Sequence, residues 1–341
     1  MRAAVYYNNK DIRIEEIPKP KIGSNELLVK VVASGICGSD VMEWYRVKTA
    51  PRILGHEIAG EIVEVGKNVK KYMVGQRVFV SHHVPCNECR YCKMDYQTVC
   101  ETLKKTNFDP GGFAEYIRVP EINMRLGTFV LPDEVSFDEG TFIEPLGCVV
   151  RGQRFAGIEE GDTVFVIGSG ISGLLHIQLA WVRGARKVFA SDISEYRLNA
   201  AKRFCADVLI NAKNDVPKIV KEANCGRLAD VVILCTASLP AFEQAFNSVD
   251  RAGTLLLFAP TAPEIRVPLP LYDLYFKGIK IIFSYAAVEQ DIKEAIELLK
   301  VKKINVNDMI THRFGLADIQ KGFDLVAQAD KSIKVIIEPQ E

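Results

Sequence analysis

The chain has 341 residues, and at about 150 residues per domain this length predicts two domains with room for a large buried core. Lys plus Arg and Asp plus Glu number 43 each, so the formal net charge is zero. This balance argues against nucleic acid or an acidic membrane as a partner, because both demand a positive excess. The hydrophobic fraction of 48% and the charged fraction of 25% are ordinary for a folded protein and exclude a disordered or fibrous chain.

The amino-terminal segment lacks an apolar core of signal-peptide length and carries acidic residues early. No apolar run in the chain approaches the roughly 18 residues of a membrane helix. We therefore expect a cytoplasmic protein that is neither secreted nor inserted in a membrane. The nine cysteines then belong to a reducing compartment, where metal binding is commoner than disulfide formation.

Short alternating or β-branched runs separated by glycine dominate the first 150 residues. They predict a mostly β region with strands over 27–33, 58–65, 77–80 and 114–119. Cys37, in the segment GICGSD, follows the first of these strands, and His56 and Glu57 precede the second in the segment LGHE. A single cysteine or histidine is more often a packed core residue than a ligand, so neither segment alone predicts a metal site.

Four cysteines crowd into a polar segment and form the first metal-binding pattern in the chain. They are Cys86, Cys89, Cys92 and Cys100. Four thiolates so close in sequence can surround one zinc ion tetrahedrally, which leaves no open position for a substrate. We interpret them as a structural zinc site, with an iron–sulfur cluster or unliganded thiols as the alternatives.

From residue 163 the pattern changes to alternating strands and helices. Predicted strands over 163–167, 187–192, 231–235, 254–258 and 279–283 are continuous apolar runs, as in a parallel sheet covered on both faces. They predict a doubly wound α/β sheet. A later helical segment, 289–303, and a strand near the carboxyl end return to the first region. We therefore predict a β-rich domain of residues 1–150 plus 287–341, interrupted by an α/β domain of residues 151–286.

A glycine-rich turn follows the strand at 163–167 and opens an apolar helix. Its residues are Gly168, Ser169, Gly170, Ile171, Ser172 and Gly173, which match the G-x-G-x-x-G pattern of dinucleotide-binding turns. Asp192 ends the next strand, where a carboxylate accepts hydrogen bonds from the adenosine ribose. A carboxylate repels a 2′-phosphate, so we expect NAD to be preferred over NADP. Arg197 weakens this preference, since it could pair with that phosphate or cover the adenine.

Several motifs occur together in one order along the chain. They are GICGSD, GHEIAGEIVEVG, the four-cysteine segment, GGFAEY, EPL and GSGISG. In this the sequence resembles the zinc-containing medium-chain dehydrogenase/reductase family, which includes alcohol, polyol and threonine dehydrogenases. The resemblance spans nearly the whole chain. It implies a GroES-like catalytic domain, an inserted Rossmann domain and two zinc ions per chain, one catalytic and one structural.

The resemblance also implies roles for individual residues. Cys37 and His56 match the family's ligands of catalytic zinc, and Glu144, in EPL, matches the third ligand of polyol and threonine dehydrogenases. Glu57 is similar to a family glutamate that approaches the metal, and the order of the two carboxylates stays open. Ser39 resembles the hydroxyl that takes the alcohol proton, although a serine at a turn could instead satisfy backbone groups.

Two positions depart from the family pattern. Met42 stands where many relatives have the histidine that ends the proton relay, so the relay would end elsewhere, in water or at Glu43. Arg151 also replaces a frequent histidine, and it would either bind an anionic group of the substrate or pair with an acid at the domain interface.

The resemblance implies a zinc- and NAD-dependent oxidation of a secondary alcohol on a polyol or sugar-like small molecule. The alternatives are L-threonine 3-dehydrogenase activity and a catalytically silent zinc protein of the same fold. The family's habit of pairing edge strands predicts a homodimer or homotetramer through the apolar strand at 279–283. The cysteines outside the predicted metal sites, which are Cys148, Cys205, Cys225 and Cys235, are expected to be buried thiols.

Overall fold

The chain folds into sixteen strands and thirteen α-helices in a computed structural model that describes every residue from 1 to 341. The strands are β1 (Arg2–Asn8), β2 (Asp11–Glu16), β3 (Leu27–Gly35), β4 (Arg52–Ile53), β5 (Glu57–Val65), β6 (Arg77–Val80), β7 (Tyr116–Val119), β8 (Thr128–Val130), β9 (Thr163–Ile167), β10 (Lys187–Asp192), β11 (Val208–Asn211), β12 (Ala229–Leu234), β13 (Val249–Leu257), β14 (Lys280–Phe283), β15 (Ile310–Gly315) and β16 (Lys334–Glu338). The helices are α1 (Glu43–Arg46), α2 (Arg90–Lys93), α3 (Glu101–Lys105), α4 (Glu121–Leu126), α5 (Phe137–Gly140), α6 (Ile143–Ala156), α7 (Ile171–Val182), α8 (Glu195–Arg203), α9 (Val216–Ala223), α10 (Leu239–Ser248), α11 (Leu271–Lys277), α12 (Glu289–Lys300) and α13 (Ile319–Gln328). No helix combines the length and the apolar character that crossing a membrane requires.

Two units divide the chain. The first comprises Met1–Gly147, Ala286–Lys302 and Val306–Glu341, and the second comprises Cys148–Tyr285 and Lys303–Asn305. This division differs from the prediction at residues 148–150 and 303–305, which were assigned to the first domain, and at residue 286, which was assigned to the second. For residues 303–305 the physical reason is a pair of hydrogen bonds between Gln178 and the backbone of Asn305, which ties them to the second unit.

The first unit is mostly β structure, as predicted, and most of its strand pairs are antiparallel. Its larger sheet has the order β15-β16-β3-β5-β6-β8, with β7 also pairing β3, and its smaller sheet has the order β2-β1-β4. The alternating apolar residues of β3 point into one core cluster, where Leu27 and Val29 are fully buried with Ile58 and Ile62 of β5. Alternation along a strand puts such residues on one face, which explains why this pattern predicted the strands correctly.

The second unit is a six-stranded parallel sheet of order β11-β10-β9-β12-β13-β14. This is the doubly wound order, and the change of direction falls between β9 and β12. All five residues of β9 are buried, so its continuous apolar run was interpreted correctly. The same interpretation was wrong for β14, which is an edge strand with Phe283 73% exposed. An apolar run does not reveal whether a strand has a neighbour on its second side.

Candidate functional site

Two adjacent strand ends in the first unit bring predicted ligands together. β3 ends at Gly35 and β5 begins at Glu57, and these residues lie opposite each other in antiparallel register. Cys37 follows the end of β3, and His56 directly precedes β5. Ligand atoms of Cys37, His56 and Glu57 therefore lie within 4.8 Å of one another. Two segments that were weak signals separately form one potential metal site.

A buried carboxylate orients the His56 ring. Asp40 is fully buried, its Oδ1 lies 3.4 Å from His56 Nδ1, and its Oδ2 accepts a hydrogen bond of 3.1 Å from the Cys37 backbone N–H. Burial by itself raises the pKa of Asp40, but the neighbouring His56 and Arg46 outweigh burial and hold that pKa below its usual range. A carboxylate on Nδ1 fixes the ring and makes Nε2 a stronger metal ligand. Asp40 lies inside the GICGSD segment, but its role was not predicted.

Glu57 forms a buried ion pair with a residue from the far end of the chain. Lys334 Nζ donates a hydrogen bond to Glu57 Oε2, and the two side chains are 0% and 1% exposed. A Cβ at Gly35 would overlap both charged groups, so any other residue here would displace the ion pair. A carboxylate has two oxygens, so pairing through Oε2 leaves Oε1 as a possible metal ligand.

Ser39 lies between the cysteine and an arginine. The Ser39 backbone N–H donates to Cys37 Sγ at 3.4 Å, and Arg46 Nη2 donates to Ser39 Oγ at 2.9 Å. Met42 caps the start of α1 and brings no imidazole to this hydroxyl. The group that contacts the Ser39 hydroxyl is therefore the Arg46 guanidinium, whereas many members of the family have a histidine in this relay.

Two further histidines extend the site, and sequence reasoning missed both. The ring centre of His82 lies 4.8 Å from that of His56, and the ring centre of His83 lies 3.8 Å from that of His82. Burial, assisted by neighbouring positive groups, lowers the pKa of His82 well below its ordinary value and that of His83 to about 4. Both imidazoles are therefore neutral at pH 7. Their only signal in the sequence is their place between β6 and Cys86.

Glu144 lies in the first turn of α6 and is 8% exposed. It is not a member of the group of ligand atoms within 4.8 Å, where the carboxylate is that of Glu57. Its role as a zinc ligand stays a prediction. Arg151, two helical turns further along α6, is fully buried, and its guanidinium carbon lies 4.4 Å from the ring centre of Phe155.

The sulfur atoms of four cysteines lie close together in the first unit. We call them the lobe cysteines, and they are Cys86, Cys89, Cys92 and Cys100. Their Sγ atoms are 3.5 Å apart between Cys89 and Cys92, 3.6 Å between Cys86 and Cys100, and 3.9 Å between Cys86 and Cys92. A tetrahedral zinc ion with bonds of about 2.3 Å separates its sulfur ligands by about 3.8 Å. The spacing fits one such ion, whereas an iron–sulfur cluster spreads its thiolates over several iron atoms. The Cys89 backbone N–H also donates to Cys86 Sγ at 3.4 Å, which stabilises a thiolate.

The glycine turn of the second unit has the geometry that a dinucleotide requires. Gly168 has φ +92°, in the left-handed region that favours glycine, and a Cβ at Gly173 would lie 1.9 Å from Gly168 O. Helix α7 begins at Ile171 with no side-chain cap and no acid in its first turn. Its first backbone N–H groups, including those of Ile171 and Ser172, are therefore suited to bind a pyrophosphate.

Asp192 lies beside this turn at the end of β10. Its Oδ2 accepts a hydrogen bond of 2.8 Å from the Ser169 N–H, and its Oδ1 accepts one of 2.9 Å from the Ser194 N–H. A carboxylate offers about four acceptor positions, so capacity remains for ribose hydroxyls. The Arg197 guanidinium lies 3.8 Å from the position of a Cβ on Gly170, so it also borders the turn.

The expectation of buried thiols outside the metal sites was wrong for two residues. Cys205 and Cys225 are exposed, and Cys148 and Cys235 are partly buried. Cys205 and Cys225 both have positive φ values and lie just after helices α8 and α9, at surface turns. Turns that follow helices lie on the surface, so a cysteine in such a turn is exposed although cysteine is usually a buried residue type.

Comparison with known proteins supplies the family. The model for the alcohol dehydrogenase GroES-like domain matches residues 23–129, and that for the zinc-binding dehydrogenase matches residues 172–301. Sorbitol dehydrogenase of Gallus gallus is 31% identical over 98% of this chain and 95% of its own. The chain belongs to the zinc-containing medium-chain dehydrogenase/reductase family. Another member of the family, L-threonine 3-dehydrogenase of Klebsiella pneumoniae, is 29% identical over 96% of each chain.

Solved structures of other dehydrogenases agree with the fold. A zinc-binding dehydrogenase of Sinorhizobium meliloti 1021 bound to NADP has a TM-score of 0.89 at 27% identity, over 99% of each chain. A protein described as a short chain alcohol dehydrogenase, of Escherichia coli CFT073 and complexed with NADH, has a TM-score of 0.88 at 28% identity, again over 99% of each chain. The predicted combination of a GroES-like and a Rossmann domain is confirmed, and the chain is an oxidoreductase of the alcohol dehydrogenase class.

Proposed function

We propose that this enzyme uses zinc and NAD to oxidise a secondary alcohol of a polyol or sugar-like substrate to a ketone by hydride transfer. The observation that carries the proposal is the grouping of Cys37, His56 and Glu57 ligand atoms within 4.8 Å. One thiolate, one imidazole and one carboxylate form a donor set that zinc accepts while keeping an open position. Zinc bound there supplies a Lewis acid for the alcohol oxygen.

The surrounding residues have separate tasks in this proposal. Asp40 orients His56, Lys334 offsets the charge of Glu57, and Ser39 presents its hydroxyl to the reacting oxygen. Glu144 is proposed as a further carboxylate ligand of the same zinc ion. The second group of ligands, in the cysteine lobe, holds a structural ion and brings the proposed content to two zinc ions per chain.

We propose NAD as the preferred cofactor because Asp192 keeps acceptor capacity beside the glycine turn. A 2′-phosphate would place negative charge against this carboxylate. Arg197 at the same turn and the NADP bound to the Sinorhizobium relative count against an absolute preference.

L-threonine 3-dehydrogenase activity is the second candidate, because relatives of that name match nearly the whole chain. A catalytically silent zinc protein is disfavoured, since Cys37, His56 and Ser39 are all present and close together. A panel of polyols, sugar alcohols, threonine and simple secondary alcohols, followed at the nicotinamide absorbance with NAD and with NADP, separates these possibilities. Polyol turnover supports the proposal, exclusive turnover of threonine favours the second candidate, and no turnover at all contradicts both.

Metal analysis of the purified protein tests the ligand assignment. Cys37→Ser should abolish turnover and reduce zinc from two ions per chain to one, while NAD binding by the second unit persists. Cys205→Ser is the matched control, because this thiol is exposed and outside both metal groups. Normal turnover in Cys37→Ser, or iron in place of zinc, would overturn the proposed metal chemistry.

We also propose a reducing compartment, the cytoplasm, because the lobe thiols must stay reduced to bind metal. The proposed partners are a small-molecule alcohol and further copies of the same chain. The support for self-association is the apolar edge formed by β14 and α11, where Tyr275 and Phe283 are 80% and 73% exposed.

A further inference from the structure

We propose that Arg46 is a positioning residue that fixes the Ser39 hydroxyl as a hydrogen-bond donor to the reacting oxygen. The inference rests on the proposed function, because it assigns Ser39 to the substrate. It adds a residue, Arg46, that neither the motifs nor the predicted site contained.

The Arg46 side chain is anchored at several points. Its Nε donates to the Ser39 backbone carbonyl at 2.9 Å, and its Nη2 donates to Ser39 Oγ at 2.9 Å and to Asp40 Oδ1 at 3.2 Å. The Arg46 side chain is 13% exposed and the Asp40 side chain is fully buried. The guanidinium also lies 4.8 Å from the ring centre of Tyr45. Hydrogen bonds to both Ser39 and Asp40 hold the guanidinium in one orientation.

The chemistry of the guanidinium decides what Ser39 can do. A guanidinium has only N–H donors and stays protonated in proteins, so it cannot accept a proton from a hydroxyl. Ser39 Oγ must therefore accept from Arg46 and direct its own hydrogen elsewhere. An imidazole in contact with this hydroxyl could act as acceptor and continue a proton relay, but Arg46 cannot, so the proton that the alcohol releases leaves to water rather than through residue 46.

Asp40 explains why Arg46 acts on Ser39 rather than on an anionic substrate. The carboxylate of Asp40 lies 3.2 Å from Arg46 Nη2 and balances its charge inside the site. Asp40 also contacts His56, so one carboxylate sets the positions of the proposed metal ligand and of the arginine that holds Ser39. The buried Asp40 carboxylate thus positions His56 directly and Ser39 through Arg46.

The test is a double-mutant cycle between residues 46 and 39. Arg46→Met removes the donors, and we expect kcat to fall about tenfold at an unchanged KM for NAD, as expected for a lost hydrogen bond to a charged group. In the Ser39→Ala background the same change should lower kcat less than twofold. Arg46→Lys, which keeps one donor and the charge facing Asp40, should restore part of the loss. Arg13→Met removes an exposed arginine that is also paired with an aspartate, Asp11, and should match the wild type.

A binding measurement gives a readout that does not depend on turnover. A small aliphatic carboxamide presents an acceptor oxygen like that of the ketone product, and its affinity for the NADH complex can be followed by nicotinamide fluorescence. Arg46→Met should weaken this affinity about tenfold when Ser39 is present, and less than twofold when it is alanine. Zinc content and Tm of every variant are recorded with these values.

The outcomes separate the role of Arg46 from the proposed function. Equal losses in both backgrounds, wild-type behaviour of Arg46→Met, or loss of zinc in both Arg46→Met and Arg46→Lys would each overturn the role of Arg46. If only Arg46→Met loses zinc, Arg46→Lys replaces it in the double-mutant cycle. Arg46→Lys must then lower kcat more in the presence of Ser39 than in the Ser39→Ala background. Absence of turnover by the wild type on every alcohol would instead contradict the proposed function.

Discussion

At the residue scale, the pair formed by Glu57 and Lys334 shows how much a site depends on a single distant contact. Both side chains are inaccessible to solvent, and the Lys334 ammonium also lies 5.0 Å from the ring centre of Phe142. Removing one partner of such a pair leaves an uncompensated charge in the interior. The pair therefore matters for stability as well as for the charge at the proposed metal site.

In the zinc-free protein, Lys334→Met should lower the free energy of unfolding by about 3 kcal/mol or more, because the Glu57 carboxylate then stays buried without any cation. Urea unfolding followed by fluorescence measures the change. Lys331→Met, at an exposed lysine three residues earlier, should change stability by less than about 0.5 kcal/mol. Adding Glu57→Gln to Lys334→Met should recover part of the loss. Equal stability of Lys334→Met and the wild type would contradict the assigned role of the pair.

Asp192→Ala should weaken the binding of NAD more than that of NADP. The ribose hydroxyls of NAD lose an acceptor, whereas the repulsion of the 2′-phosphate of NADP disappears. We expect KM for NAD to rise about tenfold and KM for NADP to change less than about threefold, as for one lost hydrogen bond to a charged group. Steady-state kinetics with both cofactors measures the two values. Lys202→Ala, at an exposed position of α8, is the control. An unchanged ratio of the two KM values would remove the argument for NAD.

At the scale of a single element, the short helix α5 is held by a capping box that also recruits a lysine. Ser136 Oγ accepts from the Glu139 N–H, and Glu139 Oε2 accepts from the Ser136 N–H at 2.8 Å. Lys302 Nζ donates to Glu139 Oε1 at 2.6 Å. Burial raises the pKa of Glu139, but Lys302 and the Ser136 N–H outweigh it, so the pKa lies below its ordinary value.

This shift fixes the sign of a pH effect. The folded pKa of Glu139 is lower than its unfolded value, so its stabilising contribution is complete above the unfolded pKa and is lost as pH falls towards the folded pKa. Glu139→Gln should cost about 1 to 2 kcal/mol at pH 7, and this difference should shrink as the pH falls below about 4. Urea unfolding of both proteins across this range provides the measurement. Glu134→Gln, at an exposed glutamate, should show neither effect. A difference that does not shrink as the pH falls below the unfolded pKa would contradict the ion pair.

At the scale of the whole molecule, the exposed edge of the second unit bears on assembly. β14 pairs only with β13, so one side of this strand has no partner within the chain. The preceding helix, α11, also exposes aromatic side chains: Tyr272, Tyr275 and Phe276 are between 70% and 80% exposed, and the rings of Tyr272 and Tyr275 both contact that of Phe276. An apolar edge strand without cover is a site for pairing with another copy.

Phe283→Lys should convert the proposed homo-oligomer to smaller species, because a charge replaces a 73% exposed aromatic ring on the edge strand. Light scattering coupled to gel filtration gives the mass over a range of concentrations. Val74→Lys, at an exposed apolar residue of the first unit, should leave the mass unchanged. A monomeric wild type, or an unchanged mass for Phe283→Lys, would contradict assembly through this edge.

Local patterns predicted much of this protein. The strand predicted over residues 77–80 is β6, the helix beginning at Ile171 is α7, and the glycine turn between β9 and α7 has the positive φ that its motif requires. Each depends on interactions within a few residues, such as alternation, capping or a tight turn, which the sequence displays directly. The four lobe cysteines were predicted for the same reason, because fifteen residues of chain already hold all the ligands.

The sequence by itself therefore determined the elements, the dinucleotide turn and the metal-binding residue types. Only the tertiary structure decided which charges meet: Lys334 with Glu57, Asp40 with His56, and Arg46 with Ser39. It also decided that β14 is largely exposed within the chain rather than covered on both faces. The physical reason is that the environment of a charge or a strand is created by the segments packed against it. Those segments, such as β16, whose Lys334 reaches Glu57 of β5 past Gly35 of the intervening strand β3, are brought there by sheet register that no local pattern records.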